Sequence, residues 1–344
     1  MDGIINMQKI YKYQILKQLG EGNYGKVYKV FDETLKTEKA LKIIQCDNEE
    51  TILKNLNEAQ VLYQCKHKHI VNINEANIIT INKRSYLCID MELVNGGSVE
   101  HILNTRYLSV VETIRIFIGV LQGLEFAHNL SYLHRDIKPA NILLDENLNA
   151  KDSDFGLAYN LRENLVAPCF GYLTHFAPES CQNHIMSKQT DIYAAGVTLF
   201  RMVNNLKKWK SIIESIPNNK SKISSGILLK TIGFQPYMPK KIIRIINKAT
   251  NVTLSKRYKS ITEFKQALEK LHLKIKWEYL DDLHWKGRDL TDNRSIIELV
   301  YDEKNKYVFY KKNKRINNSK SKHVSSKEKA KSFIDNFIAE NTIS

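Results

Sequence analysis

The stretch "YLHRDIKPANILL", residues 132 to 144, constrains this chain more than any other. Asp136, Lys138 and Asn141 fall within six residues, with Pro139 restricting the backbone between them. Transfer of a phosphoryl group needs a carboxylate to orient a hydroxyl, a cation beside the moving group and oxygen ligands for magnesium. This short loop can supply all three. The plainer reading is a polar surface turn closing a helix. Against it stand the apolar, strand-like "NILL" behind the loop and a "DFG" turn whose Asp154 lies 18 residues after Asp136.

A second segment, "GEGNYGKVY", sets Gly20, Gly22 and Gly25 in a turn where backbone amides can approach phosphates. It fails as a Walker A loop, because Val27 stands where a magnesium-binding hydroxyl is required. It fails as a dinucleotide fingerprint, because the following "KVYKVF" favours a strand and not a helix. What remains is a hairpin folded over nucleotide phosphates, or simply a glycine-rich turn.

Hydrophobic patterning divides the chain. Residues 10 to 91 read as strands ("YQILKQLG", "KVYKVFD", "EKALKIIQ", "NIITIN", "SYLCIDMEL") around one helix, with Ile52, Leu53, Leu56, Ala59, Leu62 and Tyr63 at helical spacing. From about residue 98 the character turns helical. "VVETIRIFIGVLQGLEFAHNL" is amphipathic, "QTDIYAAGVTLFRMV" is apolar on nearly all sides, and "SITEFKQALEKLH" has Ser260 and Glu263 at capping-box spacing. A small β lobe followed by a larger α lobe is expected, joined near "ELVNGGS". The tail, 273 to 344, reads as a small α+β appendage with strands "SIIELVYD" and "NKYVFYKK", a loop "KKNKRINNSKSKH" and a last helix "SSKEKAKSFIDNFIAE".

With these motifs in order, residues 10 to 272 resemble the eukaryotic-type serine/threonine protein kinase family. The resemblance implies an α+β, bilobal fold: an N-lobe of about 10–94, a C-lobe of about 95–272, and ATP in the cleft between them. It implies that Gly20, Gly22 and Gly25 cover the phosphates, that Lys42 holds the α- and β-phosphates, and that Glu58 pairs with Lys42. Met91 would stand at the back of the adenine pocket, and Glu92 and Val94 would offer backbone groups to the adenine edge. Val27, Ala40 and Leu143 would sandwich the ring. Asp136 would orient the acceptor hydroxyl, Lys138 would sit beside the transferred phosphoryl, and Asn141 and Asp154 would bind Mg2+. Architecture follows too: a buried pair of Glu179 with Arg257, Asp191 holding the catalytic-loop backbone, and Leu62, His134 and Phe155 in a stacked apolar column.

Lys138 within "DIKPAN" favours a Ser or Thr acceptor on a protein substrate, the chain itself included. Several positions depart from the family's pattern. Tyr172 replaces the threonine that contacts the catalytic aspartate and lysine, and His175 replaces an aromatic residue. Asp152 puts a carboxylate on a strand position that is normally apolar, where it would be costly unless partnered. Arg135 would bind a loop phosphate, yet no Ser or Thr occurs from Leu157 to Phe170. The expectation is a loop ordered without Ser/Thr phosphorylation, by Glu163 or by internal packing; modification of Tyr159 is the other route. These departures keep two rivals in view: a nucleotide-binding pseudokinase scaffold, and a kinase for a non-protein acceptor.

Net charge is +15, an excess that suits phosphate-rich partners without naming one. It concentrates at 304–331, where 11 lysines and arginines face one acid, Glu328. A solvated loop is the plain reading, and nucleic acid or an acidic partner the sharper one. The five cysteines are scattered, no apolar run reaches membrane-spanning length, and the N-terminus lacks a signal-peptide pattern. A cytoplasmic protein is expected.

Overall fold

The computed structural model describes residues 9–22, 25–46, 48–154, 158–161, 165–292 and 295–344; the side chains of Glu50, Lys54, Asn57, Glu58 and Leu62 also lie outside that set. Apolar runs of the first segment pair into one antiparallel sheet. Its strands are β1 (Lys9–Ile10), β2 (Tyr13–Gly22), β3 (Gly25–Asp32), β4 (Thr37–Cys46), β5 (Ile73–Ile81) and β6 (Arg84–Met91), ordered β1-β2-β3-β4-β6-β5. Helix α1 (Glu49–Gln64) crosses between β4 and β5, as the helical spacing of its apolar residues requires. One face of the sheet buries Val30, Leu41 and Ile43, and the other buries Ile44, Leu87 and Ile89 against α1. On the first face a polar network survives burial because it is paired. The Lys39 ammonium lies 3.1 Å from Asp32 and 2.5 Å from Asp90, and the Tyr13 hydroxyl donates to Asp90 at 2.7 Å.

The helical lobe begins with α2 (Val99–Thr105) and α3 (Val110–Asn129). Ser109 and Glu112 form a reciprocal capping box that fixes where α3 starts. Short strand pairs then carry the loops of interest: β7 (Tyr132–Leu133), β8 (Ile142–Leu144), β9 (Ala150–Asp152), β10 (Tyr159–Asn160) and β11 (Ala167–Pro168). β8 pairs with β9, β10 with β7, and β11 with β12 (Ile185–Met186), which follows α4 (Pro178–Asn183). Helix α5 (Lys188–Val203) is buried nearly all round, as its sequence demands. Three short helices, α6 (Trp209–Ser215), α7 (Asn219–Ser224) and α8 (Leu228–Ile232), lead to α9 (Lys240–Ala249) and α10 (Ile261–Glu269). The expected capping box of α10 is only half formed. Ser260 accepts from the Glu263 N–H, but the Glu263 carboxylate accepts from Lys259 instead of Ser260.

The tail contains more strand than its sequence suggests. β13 (Ile275–Asp281) and β14 (His284–Asp289) precede β15 (Ile296–Asp302) and β16 (Tyr307–Lys312) in one antiparallel sheet. The stretch read as a loop adds β17 (Arg315–Ile316) and β18 (Lys322–His323), both paired with β16, before α11 (Lys327–Asn341). Trp277, Trp285, Leu299, Val308 and Ile334 belong to the same buried cluster as α3 and α5, so the tail shares the core of the helical lobe. Within the basic stretch, Lys311, Lys327 and Lys331 pair with Glu298, Glu303 and Asp282. Among the described residues no helix is long and apolar enough to cross a membrane.

Candidate functional site

The two lobes meet where residues distant in sequence converge. Gly20 faces Val27 and Gly22 faces Gly25 across the β2–β3 hairpin, whose tip at 23–24 lies outside the described residues. Gly25 sits at φ +145°, and a Cβ there would come 2.5 Å from the Ile43 carbonyl oxygen, so this position requires glycine. Beneath the hairpin, Val27 pairs with Lys42 and Ala40 with Met91. On the helical-lobe side of the cleft, Leu143 forms an isolated bridge with Ser98. Val27, Met91, Val94 and Leu143 are half-buried and Ala40 is buried, which gives apolar walls for a flat ring.

The connection between the lobes refines one expectation. The Glu92 N–H donates to the Asn72 carbonyl at 3.0 Å, so only its carbonyl is left for a nucleobase edge. Its side chain accepts from Asn72 N–H at 2.7 Å and from Lys151 at 2.8 Å. Gly96 N–H donates to the Leu144 carbonyl, and a Cβ at Gly96 would lie 2.4 Å from that oxygen. The connection is thereby laid directly on the catalytic-loop strand.

Lys42 is buried, and its Nζ donates to Asp154 Oδ1 at 3.2 Å. Burial by itself would raise the Asp154 carboxyl, but the Lys42 ammonium outweighs it and holds the group below the usual carboxylate range. Asp154 is also in the left-handed region, at φ 60°, which turns its carboxylate into the cleft. The Glu58 side chain and Phe155, each expected to work beside these groups, lie outside the described residues, as does the Leu62 side chain.

In the catalytic loop, Asp136 Oδ2 accepts from Lys138 Nζ at 2.5 Å and from Asn141 Nδ2 at 2.9 Å. Asn141 Nδ2 also donates to the Asp136 carbonyl, which leaves its amide oxygen for an acceptor role. Asp136 Oδ1 is buried and finds no hydrogen-bond partner among the described residues. The loop backbone is fixed by Asp191, which accepts from His134 N–H at 2.9 Å and Arg135 N–H at 3.0 Å. It also accepts from His128 Nε2 at 2.8 Å, and these donors keep it ionised despite full burial.

Asp152 does have a partner. His134 Nε2 donates to Asp152 Oδ1 at 3.0 Å, with both side chains wholly buried. Burial opposes a charged imidazole, yet Asp152, Asp191 and Asp136 together push His134 up to about 9. The carboxylate that looks anomalous in sequence thus props the loop from beneath.

Arg135 is clamped. Its guanidinium lies 5.2 Å from the Tyr159 ring centroid and 5.5 Å from that of Phe170, and its Nη1 donates to the Pro168 carbonyl at 2.9 Å. Leu161 N–H donates to Ser131 O at 2.7 Å, and Leu133, Leu161, Ala167 and Met186 form a small buried cluster around this segment. Glu163 lies outside the described residues. Further along, Arg257 and Glu179 form a two-pronged pair at 2.7 and 3.1 Å.

Such a cleft suits a nucleotide with its phosphates over Lys42 and Asp154 and an acceptor at Asp136. Among the described residues no three His, Cys, Asp or Glu side chains cluster tightly enough to hold a metal by themselves. Sparse oxygen donors such as Asn141 and Asp154 fit magnesium, which completes its octahedron with phosphate and water oxygens. A bilobal fold with this cleft defines a phosphotransferase of the protein kinase class. The protein kinase domain profile matches residues 13–272, and the chain belongs to that family. ATP and Mg2+ use is general in it. Among curated proteins, the chain is 34% identical over 209 residues to CBL-interacting serine/threonine-protein kinase 21 of Arabidopsis thaliana, covering 58% of this chain and 49% of that one. It is 30% identical over 223 residues to the carbon catabolite-derepressing protein kinase of Saccharomyces cerevisiae, covering 62% and 34%. It is 30% identical over 256 residues to serine/threonine-protein kinase PrkC of Bacillus subtilis, covering 72% and 39%. The chain thus matches about half or less of the length of these relatives.

Proposed function

We propose that this chain transfers the γ-phosphoryl group of ATP to serine or threonine hydroxyls of protein substrates. The observation that carries this reading is the Asp136 carboxylate. One oxygen is tied to Lys138 and Asn141, and the other is a buried acceptor with no donor among the described residues. A buried acceptor left without a donor is costly, so its retention points to a hydroxyl donor that arrives with the substrate. Asp136 orients and accepts that proton, while Lys138 neutralises charge beside it. Asn141 and Asp154 offer the oxygen ligands for Mg2+, which when bound clamps the phosphates and spreads their charge. Lys42 holds the α- and β-phosphates, and Val27, Ala40 and Leu143 enclose the adenine.

Labelled ATP with a generic Ser/Thr-rich protein is the test. Label is expected on serine or threonine in the presence of Mg2+, lost on chelation with EDTA and restored by added Mg2+. Nucleotide binding with no transfer to any acceptor would leave a scaffold in its place.

The described parts of the activation segment, residues 158–161 and 165–179, are held by the ring clamp on Arg135 and the β10 and β11 pairings, so in this reading activity requires no loop phosphate. Wild-type protein treated with a broad phosphatase is expected to keep its rate within about twofold. Tyr159→Leu combined with Phe170→Leu removes both rings, each worth about 0.5–1 kcal/mol, and is expected to lower the rate roughly tenfold. A phosphatase-sensitive wild type would reject the clamp.

A further inference from the structure

Tyr172 occupies a place where relatives of this kind carry a threonine, and its surroundings give it a different task. The Lys138 ammonium stands over the Tyr172 ring, 5.2 Å from the centroid. The same nitrogen donates to Asp136 Oδ2 at 2.5 Å. We propose that Tyr172 is a positioning residue: the face of its ring holds the Lys138 ammonium against the Asp136 carboxylate, replacing a hydroxyl bridge by a cation–π contact. This rests on the phosphoryl-transfer reading above and names a residue that sets its geometry.

Three observations deliver the ring to that spot. Gly171 lies at φ +126°, and a Cβ on it would come 2.2 Å from the Arg135 carbonyl oxygen, so the segment packs backbone to backbone on the catalytic loop. Tyr172 then leads a single turn, Leu173–His175, and its ring meets the His175 ring at 5.4 Å. His175 is fixed in turn. Its Nδ1 is 3.0 Å from Thr174 Oγ1, which accepts from Trp209 Nε1 at 2.9 Å, and the Arg201 guanidinium lies 4.7 Å from the Trp209 ring centroid. Burial, with Arg201 and Lys138 adding to it, keeps His175 neutral, so it brings no second cation to repel Lys138 from the ring. The two departures from the family pattern, Tyr172 and His175, are thus one packed unit.

The ring face and not the hydroxyl does this, so conservative and non-conservative changes separate. Tyr172→Phe is expected to retain most of kcat. Tyr172→Leu, with similar apolar bulk and no ring, is expected to lower kcat about tenfold with the KM for ATP unchanged. Placed on Lys138→Gln, Tyr172→Leu is expected to add less than a twofold loss. A contact measurement stands apart from turnover: lysines labelled by reductive 13C-methylation, with the Lys138 signal assigned by its absence in Lys138→Arg. That signal is expected upfield in wild type and Tyr172→Phe, and at the ordinary lysine position in Tyr172→Leu. A Lys138 signal that Tyr172→Leu does not move overturns the proposal. So does a Tyr172→Phe rate as low as that of Tyr172→Leu, or a full tenfold loss on the Lys138→Gln background. A wild type that transfers no phosphate would reject the activity while the resonance still tests the contact.

Discussion

Asp136→Asn is expected to lower kcat by ~10³-fold while leaving nucleotide affinity within about twofold, because it removes one proton acceptor and little else. The carboxylate divides its two oxygens between different duties. Oδ2 is held by Lys138 at 2.5 Å and Asn141 at 2.9 Å, whereas Oδ1 has no partner among the described residues. An asparagine keeps the shape and presents its carbonyl oxygen to Lys138 and Asn141, the two donors already there. That orientation turns its amide nitrogen toward the acceptor hydroxyl, where a donor faces a donor and no proton can be taken up. Lys42 and Asp154, proposed above to face the nucleotide, are expected to keep their 3.2 Å contact. Single-turnover rates with labelled ATP, beside nucleotide titration and a melting curve, check the prediction. A fall of less than tenfold, or an equal fall in nucleotide affinity, would remove Asp136 from the proposed role.

How much of this was legible in the sequence depends on the range of the interaction. Asp136, Lys138 and Asn141 are neighbours in the chain, so their convergence needed only a tight loop around Pro139. The β2–β3 hairpin was legible for the same reason, since glycines between two apolar alternations dictate it. Contacts across the fold were not. Asp152 reads as a misplaced charge because His134, its partner, reaches it from another segment. The Arg135 clamp depends on Tyr159 and Phe170, whose rings flank the guanidinium only after β10 and β11 have paired. In the tail, "HWKGRD" hid strand β14 because its inward residues are Trp285 and a glycine, which blurs the alternation. Gly287 stands there because the Trp277 ring fills the space: a Cβ would lie 2.7 Å from Cζ3 of that ring.

The largest loss of stability is expected at Arg257, where one side chain closes three connections at once. It is 2% exposed. Its Nη1 and Nη2 reach both Glu179 oxygens, its Nε and Nη2 donate to the Asn251 carbonyl at 3.0 and 2.8 Å, and Nη1 donates to the Gln189 carbonyl at 2.8 Å. The guanidinium also lies 5.1 Å from the Tyr193 ring centroid. Lysine cannot reproduce this fork, so Arg257→Lys is not a mild change. Arg257→Met leaves two carbonyls without donors and Glu179 without its counter-ion, with an expected cost of about 3–5 kcal/mol. For a domain of this size that is roughly a 10 °C fall in melting temperature. The two ends of the pair are not equivalent. The Glu179 side chain is 18% exposed and can recover some hydration, whereas that of Arg257 is 0% exposed and cannot. That difference alone would make Glu179→Ala the harsher change. Arg257 then keeps its three bonds to the Asn251 and Gln189 carbonyls, however, whereas Arg257→Met also strips those buried carbonyls of their donors. Glu179→Ala is therefore expected to cost less than Arg257→Met. The double variant is expected to fall short of the sum, because removing either partner already breaks the same pair. Thermal melts of the three variants check the order. A fall under about 3 °C for Arg257→Met, or strict additivity, would mean that the end of the activation segment is held by its apolar packing and not by this pair.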